Sequence, residues 1–402
     1  MKWKRILAMI LAVASCLSLA VSASAANTVT RKATDFKDYD RTAWYAEAVS
    51  AAVDNGLLYG KSSTVIDPNG AMTRAEMAAI INRSFGCYKT ADISQYKDVS
   101  KSAWYYKDVA LAVQMGTYNG RSSSAMAPDA PISRQEAMTV VARALELDYD
   151  AYAKTDLSKF ADRDKISAWA LPYIRAMVGA DYIHGRGKNL APLDNITRAE
   201  FAQIFANIIG SYITVKGSYD KDIKGSVLIR TDDVTLQNMT VDGDLIIGCG
   251  AADGKITLDN VTVKGRLLVW GGGTKAVYCN AGTNMPAVVV ARVDDAVKVI
   301  YDRDSTLAVI DTIKVRITER AKQHKETEVI FYDVSGLREA QKQLNAIVAD
   351  SQIALTAPAH LYALVGEQSV KAEFVNNSKS DTYKIEIRRN KDNTLIADAF
   401  EL

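Results

Sequence analysis

The sequence predicts a multidomain protein: an all-α N-terminal part of three helical repeats around a pseudo-threefold axis, then a β-rich region. A helix-start motif of the form Thr/Ser-Arg-x-Glu occurs three times, at 73–76, 133–136 and 197–200. After Gly210 the hydrophobic period changes from 3.6 residues to 2, which indicates strands instead of helices. Within the β-rich region, the segment 234–247 is echoed by 256–269, which is typical of a β-solenoid.

The first 25 residues are predicted to be a signal peptide. Three basic residues near the start precede a short apolar run and an Ala-x-Ala exit, which favours cleavage after Ala25. The run is too short for a membrane span, so no stable span is expected after cleavage. Residues 13–16 loosely resemble a lipoprotein cleavage box, but apolar residues continue beyond Cys16, which favours simple secretion.

Composition argues against several classes of function. The formal charge of +2 becomes −1 without the three basic residues of the signal peptide, and no basic block indicates nucleic-acid binding. The mature cysteines Cys87, Cys249 and Cys279 are odd in number and widely spaced, which fits neither a disulfide framework nor a zinc ribbon. The three histidines are isolated in sequence. We therefore expect no metal site and no cofactor.

The first half of the chain is one unit of roughly 60 residues that occurs three times, with copies at 33–86, 94–147 and 158–210. Each copy contains, in order, an aromatic-x-Asp motif, a tryptophan, a glycine sixteen residues later, an apolar-x-Pro motif and the Thr/Ser-Arg-x-Glu motif. The motifs open at Phe36, Tyr96 and Phe160; the tryptophans are Trp44, Trp104 and Trp169; the glycines are Gly60, Gly120 and Gly185; the prolines are Pro68, Pro128 and Pro192.

Each copy reads as helix, loop, helix. In copy one the first helix is expected from near Trp44 to Asp54, and the second begins at the Thr-x-x-Glu capping box. The second helix carries an apolar stripe that one copy cannot cover alone, so the three copies are expected to pack together. An arginine in the first helical turn meets the positive end of the helix dipole, which disfavours it mildly. Its recurrence therefore suggests a role beyond capping.

This order of motifs resembles the S-layer homology domains, over about 33–210. The resemblance implies a wall-binding module and not an enzyme. Such triplets attach exported proteins of bacteria, mostly Gram-positive, non-covalently to a secondary cell-wall polymer that often bears a pyruvate ketal on an amino sugar. The sugar lies in grooves between the repeats. The groove residues that the resemblance implies are Asp38, Trp44, Gly60 and Arg74 in copy one, Asp98, Trp104, Gly120 and Arg134 in copy two, and Asp162, Trp169, Gly185 and Arg198 in copy three.

The chemistry of these residue types agrees with that ligand, although each also has a structural interpretation. An arginine fork suits a ketal carboxylate, and an indole offers a flat face to a sugar ring. Alternatively, the tryptophans pack in the core, the aspartates cap the first helix or pair with the arginines, and the glycines only form turns. For the arginines we favour ligand binding. Copy two departs most from the pattern, with Ser133-Arg134-Gln135-Glu136, so an altered groove is expected there.

Residues 211–285 are predicted to form a short β-solenoid in which Asn238 and Asn260 stack at one corner. A compact antiparallel sheet remains the alternative. Residues 286–402 are expected to be β-rich, with one helix near 335–348 and a small α+β or sandwich-like end.

The sequence thus predicts a non-enzymatic protein of the bacterial cell surface, anchored to the wall by its repeats and displaying a β-rich region. A wall-tethered carbohydrate-active β-helix is the first alternative, but the solenoid aspartates, including Asp242 and Asp244, form no recurring acid pair and are adequately explained as turn residues. A β region that self-assembles into a surface layer is the second alternative.

Overall fold

A computed structural model describes residues 31–291, apart from 87–88, 252–253, 272–276 and 281, and seven further strands up to residue 401. The predicted signal peptide and the helix expected near 335–348 lie outside the described residues. Within the described part of the chain, no helix combines the length and apolarity that crossing a bilayer requires.

The repeats form six α-helices among the described residues, two in each copy. In copy one the first helix starts at Ala46, slightly later than predicted, and ends at Asp54 as expected; the second helix of every copy begins directly after its capping-box residue. The helices are α1 (Ala46–Asp54), α2 (Arg74–Phe85), α3 (Tyr106–Gln114), α4 (Arg134–Ala144), α5 (Leu171–Gly179) and α6 (Arg198–Ile208).

All three capping boxes form as the sequence predicts. In the first, the Thr73 hydroxyl accepts a hydrogen bond from the Glu76 N–H at 3.2 Å, and the Glu76 carboxylate accepts one from the Thr73 N–H at 3.0 Å. Both bonds recur in the boxes that begin at Ser133 and Thr197. Each box thereby satisfies two of the N–H groups that a helix start leaves unpaired.

The copies close into a pseudo-threefold ring, which confirms the predicted packing. At its centre Met72 N–H donates to the Ile196 carbonyl at 3.0 Å, Ile196 N–H to Ile132 at 3.1 Å, and Ile132 N–H to Met72 at 2.9 Å. The second helix of each copy packs on the first helix of the next: α2 on α3, α4 on α5, and α6 on α1. The apolar stripes are therefore buried between copies and not within them.

Helix α6 runs directly into a parallel β-solenoid of about three turns, as predicted. Strand β4 (Val234–Val241) pairs in parallel with strand β6 (Ile256–Val263), with Val234 opposite Ile256 and Val241 opposite Val263, so the 22-residue echo is the rung repeat. This pairing excludes the antiparallel alternative. The strands of the solenoid are β1 (Ile209–Ile213), β2 (Gly217–Tyr219), β3 (Ser226–Ile229), β4 (Val234–Val241), β5 (Leu245–Ile247), β6 (Ile256–Val263), β7 (Arg266–Val269), β8 (Val277–Cys279) and β9 (Ala287–Val290).

The predicted asparagine corner is also present. Asn260 Nδ2 donates to Asn238 Oδ1 at 2.9 Å, and both residues adopt positive φ angles, 54° and 51°. Asparagine tolerates this left-handed conformation better than most residues, which explains its recurrence at the corner of successive rungs.

Seven later strands extend the two sheets of the solenoid: β10 (Lys298–Tyr301), β11 (Lys314–Ile317), β12 (Glu328–Val334), β13 (His360–Val365), β14 (Gln368–Asn377), β15 (Thr382–Arg389) and β16 (Leu395–Glu401). One sheet has the order β1-β3-β5-β7-β9-β11 and the other β16-β15-β14-β13-β12-β10-β8-β6-β4-β2. Pairing is parallel as far as β13 and antiparallel from β13 to β16. A sandwich-like end stays a prediction.

The solenoid and the helical ring share one hydrophobic core. Leu228, Ile246 and Leu268, from three successive rungs, are fully buried in the same cluster as the helices. Trp270 is also fully buried, and its indole N–H donates to the Ala144 carbonyl at 2.8 Å, at the C-terminal end of α4. The solenoid thus satisfies carbonyls that a helix end leaves unpaired.

Candidate functional site

Three grooves surround the helical ring, and each takes residues from all three copies. Every groove combines the tryptophan of one copy, the glycine of the copy before it and the arginine of the remaining copy. They are the Trp169 groove (Trp169, Gly120, Arg74; 440 Å³), the Trp44 groove (Trp44, Gly185, Arg134; 270 Å³) and the Trp104 groove (Trp104, Gly60, Arg198; 460 Å³). The candidate residues of one copy are therefore divided among three sites.

The tryptophans are exposed and are not core residues. Trp44, Trp104 and Trp169 have relative exposures of 63%, 62% and 51%. In the first two copies the ring meets the following tyrosine edge-on, with centroids 5.5 and 5.4 Å apart. Large exposed aromatic faces that line a concave surface are suited to stacking against a ligand.

The aspartates hold the loop that precedes each box. Asp38 accepts hydrogen bonds from the N–H groups of Ile66 and Asp67 at 2.9 and 2.7 Å, and Asp98 and Asp162 make the same pair of bonds in their copies. Asp67 has a positive φ of 55°, and its counterparts Ala127 and Ala191 have 53° and 54°. The carboxylate stabilises this strained backbone, so the aspartates position the groove loop; they neither cap the first helix nor pair with the box arginines.

The glycines allow the aromatic residue of the opening motif to pack beneath the loop. A Cβ at Gly60 would overlap the Phe36 ring, and one at Gly120 would overlap the Tyr96 ring. In copy three, a Cβ at Gly185 would lie 2.7 Å from the Phe160 ring, at a position with a φ of +84°. Only glycine fits these positions.

The box arginines are buried and link neighbouring copies. Arg74 donates through Nε to the Met126 carbonyl at 2.9 Å, through Nη2 to the Asn119 carbonyl at 2.8 Å, and through Nη1 to Glu136 at 2.8 Å. Its relative exposure is 4%. All these partners belong to copy two, so the guanidinium ties one box to the next copy's loop and box.

The other two box arginines also bind a backbone carbonyl and the box glutamate of a neighbouring copy. Arg134 donates to the Leu190 carbonyl at 2.9 Å and pairs with Glu200 at 3.2 Å. Arg198 donates to the carbonyls of Ile66 and Tyr59 and pairs with Glu76 at 3.2 Å. Burial lowers the pKa of both arginines, against the opposing charges of their glutamates. This interlocking is the role beyond capping that their recurrence suggested.

Each groove contains a second cation that the sequence analysis did not predict. Lys61, Arg121 and Arg186 each follow the groove glycine directly, and each pairs with the box glutamate of its own copy, at 2.6, 3.3 and 2.5 Å. The box glutamate therefore lies between a buried and a more exposed cation. The signal in the sequence was the basic residue that follows each groove glycine. It is a lysine in copy one and an arginine in the other two copies, so a search for identical residues does not find it.

These cations and the capping bonds hold the box glutamates ionised. Burial raises the pKa of Glu136, but the bonds from the Ser133 N–H and Arg121, with the charge of Arg74, outweigh it and leave the pKa below its usual value. The pKa values of Glu76 and Glu200 are lowered against burial in the same way.

The solenoid aspartates have structural partners. Asp244 pairs with Arg266 at 2.6 Å, and Asp242 with Lys264 at 2.7 Å. Among the residues that the structure describes, no group of acidic, histidine or cysteine side chains is arranged to hold a metal ion.

Comparison with known proteins identifies the repeats. The profile of the S-layer homology domain matches residues 35–78, 95–138 and 159–202. The chain is 34% identical over 182 residues to a surface-layer 125 kDa protein of Lysinibacillus sphaericus, covering 44% of this chain and 15% of that protein. It is 23% identical over 194 residues to the S-layer protein sap of Bacillus anthracis, covering 48% and 24%.

An endoglucanase of Bacillus sp. (strain KSM-635) is 24% identical over 210 residues, which cover 51% of this chain and 22% of the enzyme. The chain thus spans less than a quarter of the length of each of these three relatives. The matched ranges coincide with the three copies that form the helical ring, from each aromatic-x-Asp motif into the helix after the box. The helical part of this chain is therefore made of three S-layer homology domains.

Proposed function

We propose that residues 33–210 anchor the chain non-covalently to the bacterial cell wall by binding a secondary cell-wall polymer in the three grooves, and that the β-rich region is displayed at the surface. The observation that carries this proposal is the exposed tryptophan in every groove, beside a loop that an aspartate and a glycine hold in place. A sugar ring can stack on such a face.

Charge supports an anionic ligand, such as a polymer with pyruvate ketals. The Trp169 groove is lined by three arginines, Arg74, Arg121 and Arg143, against one carboxylate, Glu136. An arginine fork binds a carboxylate bidentately, and more strongly where the wall of the groove excludes water.

Similarity also supports a surface role. Two of the relatives are named as surface-layer proteins, and three S-layer homology domains are present. Relatives named as enzymes share at most about a quarter of their own length with this chain, so their activity belongs to those proteins. We propose a secreted, non-enzymatic protein of the cell wall. The β-helix enzyme is disfavoured because Asp242 and Asp244 are engaged in ion pairs.

Replacement of all three groove tryptophans by alanine tests the role of the grooves. The variant is expected to lose retention on purified wall sacculi while keeping the thermal midpoint of the wild type, because the side chains are more than half exposed. Replacement of the exposed Leu193, 57% exposed and outside the lining of the three grooves, is the matched control. Full retention of the triple variant would refute a groove-based anchor.

A further inference from the structure

We infer that the ligand's carboxylate is bound by the arginine ten residues after the box start, Arg143 in the Trp169 groove and Arg83 in the Trp104 groove, and not by the box arginines. The Trp44 groove has Asn207 at this position and would not bind a carboxylate strongly. The inference rests on the proposed function and specifies which grooves take the acidic group of the polymer.

The box arginines have little left to offer a ligand. Arg74 uses Nε, Nη1 and Nη2 on two carbonyls and Glu136, and its side chain is only 5% exposed. Arg198 is engaged in the same way and is 3% exposed. Recruiting either arginine for a ligand would withdraw it from its glutamate and from one buried carbonyl, that of Met126 or Ile66.

Arg143 is placed differently. It lines the Trp169 groove, and its guanidinium lies over the Tyr173 ring, 4.8 Å from the centroid. In the described part of the chain no carboxylate forms an ion pair with it, while Glu136 is already shared by Arg74 and Arg121. The stacked fork is held in place and its charge is not neutralised, which is what a ligand carboxylate requires.

Arg83 occupies the equivalent place in the Trp104 groove. Its guanidinium lies 3.8 Å from the centroid of the Tyr59 ring, and Nη1 donates to the Leu57 carbonyl at 2.8 Å. Over the described residues it too lacks an ion pair, but the groove also contains Asp129. Asp129 is a second carboxylate beside Glu76, and it reduces the positive potential of the groove. The Trp104 groove is therefore expected to bind the ligand's carboxylate more weakly than the Trp169 groove.

The Trp44 groove lacks an arginine of this kind. Asn207 donates to the Tyr182 carbonyl at 3.0 Å and accepts from Gln203 at 2.9 Å. The cations of this groove are Arg134, paired with Glu200 at 3.2 Å, and Arg186, paired with Glu200 and with Asp194 at 2.8 Å. Its cations are neutralised by carboxylates of the protein itself.

Calorimetric titration of the full chain with a methyl glycoside of an N-acetylhexosamine that carries a pyruvate ketal tests this inference. The same glycoside without the ketal is the control ligand. The wild type is expected to show two ketal-dependent sites. Arg143→Asn and Arg83→Asn should each weaken one site by about 10- to 100-fold, the cost of a charge-assisted pair. Arg41→Asn, which changes an exposed arginine outside the three grooves, should change neither site.

A substitution that adds an arginine tests the inference even if the Arg143 and Arg83 variants are unstable. Asn207→Arg is expected to add a third ketal-dependent site in the Trp44 groove. Three equal sites in the wild type, or unchanged binding in both the Arg143 and Arg83 variants, would overturn the inference. Retention on wall sacculi without ketal-dependent binding would overturn it while leaving the anchor intact; ketal-dependent binding without retention would support it and refute the anchor.

Discussion

Arg74→Ala is expected to destabilise the helical ring as well as any binding. The change leaves the carbonyls of Met126 and Asn119 without a donor and removes one of two cations from Glu136. Breaking a buried ion pair costs about 3–5 kcal/mol, but Glu136 is 17% exposed and keeps Arg121, so we take the lower end, about 3 kcal/mol. This corresponds to a fall of roughly 6–12 °C in the thermal midpoint.

The assay is thermal unfolding of the helical signal, with urea unfolding as a second measure. Arg121→Ala is the matched control, because Arg121 pairs with the same carboxylate but its side chain is 43% exposed. An exposed pair contributes about 1 kcal/mol at most. If Arg74→Ala costs no more stability than Arg121→Ala, the interlocking role of the box arginine is refuted.

Three further predictions concern the core, the loop and acid stability. Trp270→Ala should cost about 3–5 kcal/mol of unfolding free energy by urea titration, because the indole is fully buried and bonded to the Ala144 carbonyl; a loss below 1 kcal/mol would contradict the shared core. Gly120→Ala should lower both the thermal midpoint and wall retention, because its Cβ would overlap the Tyr96 ring. Acid should destabilise the ring. A carboxylate whose pKa is lower in the folded than in the unfolded chain stabilises the fold at any pH above its unfolded pKa, and this stabilisation is lost as the pH falls. The thermal midpoint should therefore decline below a pH of about 4.5, the usual pKa of glutamate, and it should decline less steeply in Glu136→Gln than in the wild type. Equal declines in the two proteins would contradict the role of Glu136.

Local signals in the sequence were sufficient for most of the secondary structure. The capping boxes located the second helix of each copy, because their bonds involve only four consecutive residues. The 22-residue echo gave the register of β4 on β6, since a solenoid repeats its rung in sequence. Strands β14 and β15, which pair in antiparallel fashion, lie in the part of the chain that was expected to be β-rich.

The sequence could not predict which copy supplies each groove residue. That assignment depends on the exchange of partners around the ring, in which α6 packs on α1, and no local pattern encodes it. The docking of the solenoid was missed for the same reason. Arg266 donates to the carbonyls of Leu145 and Glu146, more than a hundred residues earlier, which only the folded chain brings together.

The sequence predicted which residues form the candidate site better than it predicted what each of them does. The tryptophans are exposed in the grooves, as ligand binding requires. The aspartates, glycines and box arginines have contacts that explain them as the frame of each groove. Arg143 and Arg83 carried no recognisable signal, because the third copy has Asn207 at the same position and breaks the repeat.

Retention of the chain on purified wall sacculi, before and after the secondary polymer is extracted, tests the central claim most directly. The account predicts that the chain sediments with intact sacculi, that free polymer competes for it, and that it stays in the supernatant once the polymer is removed. Equal sedimentation with extracted sacculi would contradict the account.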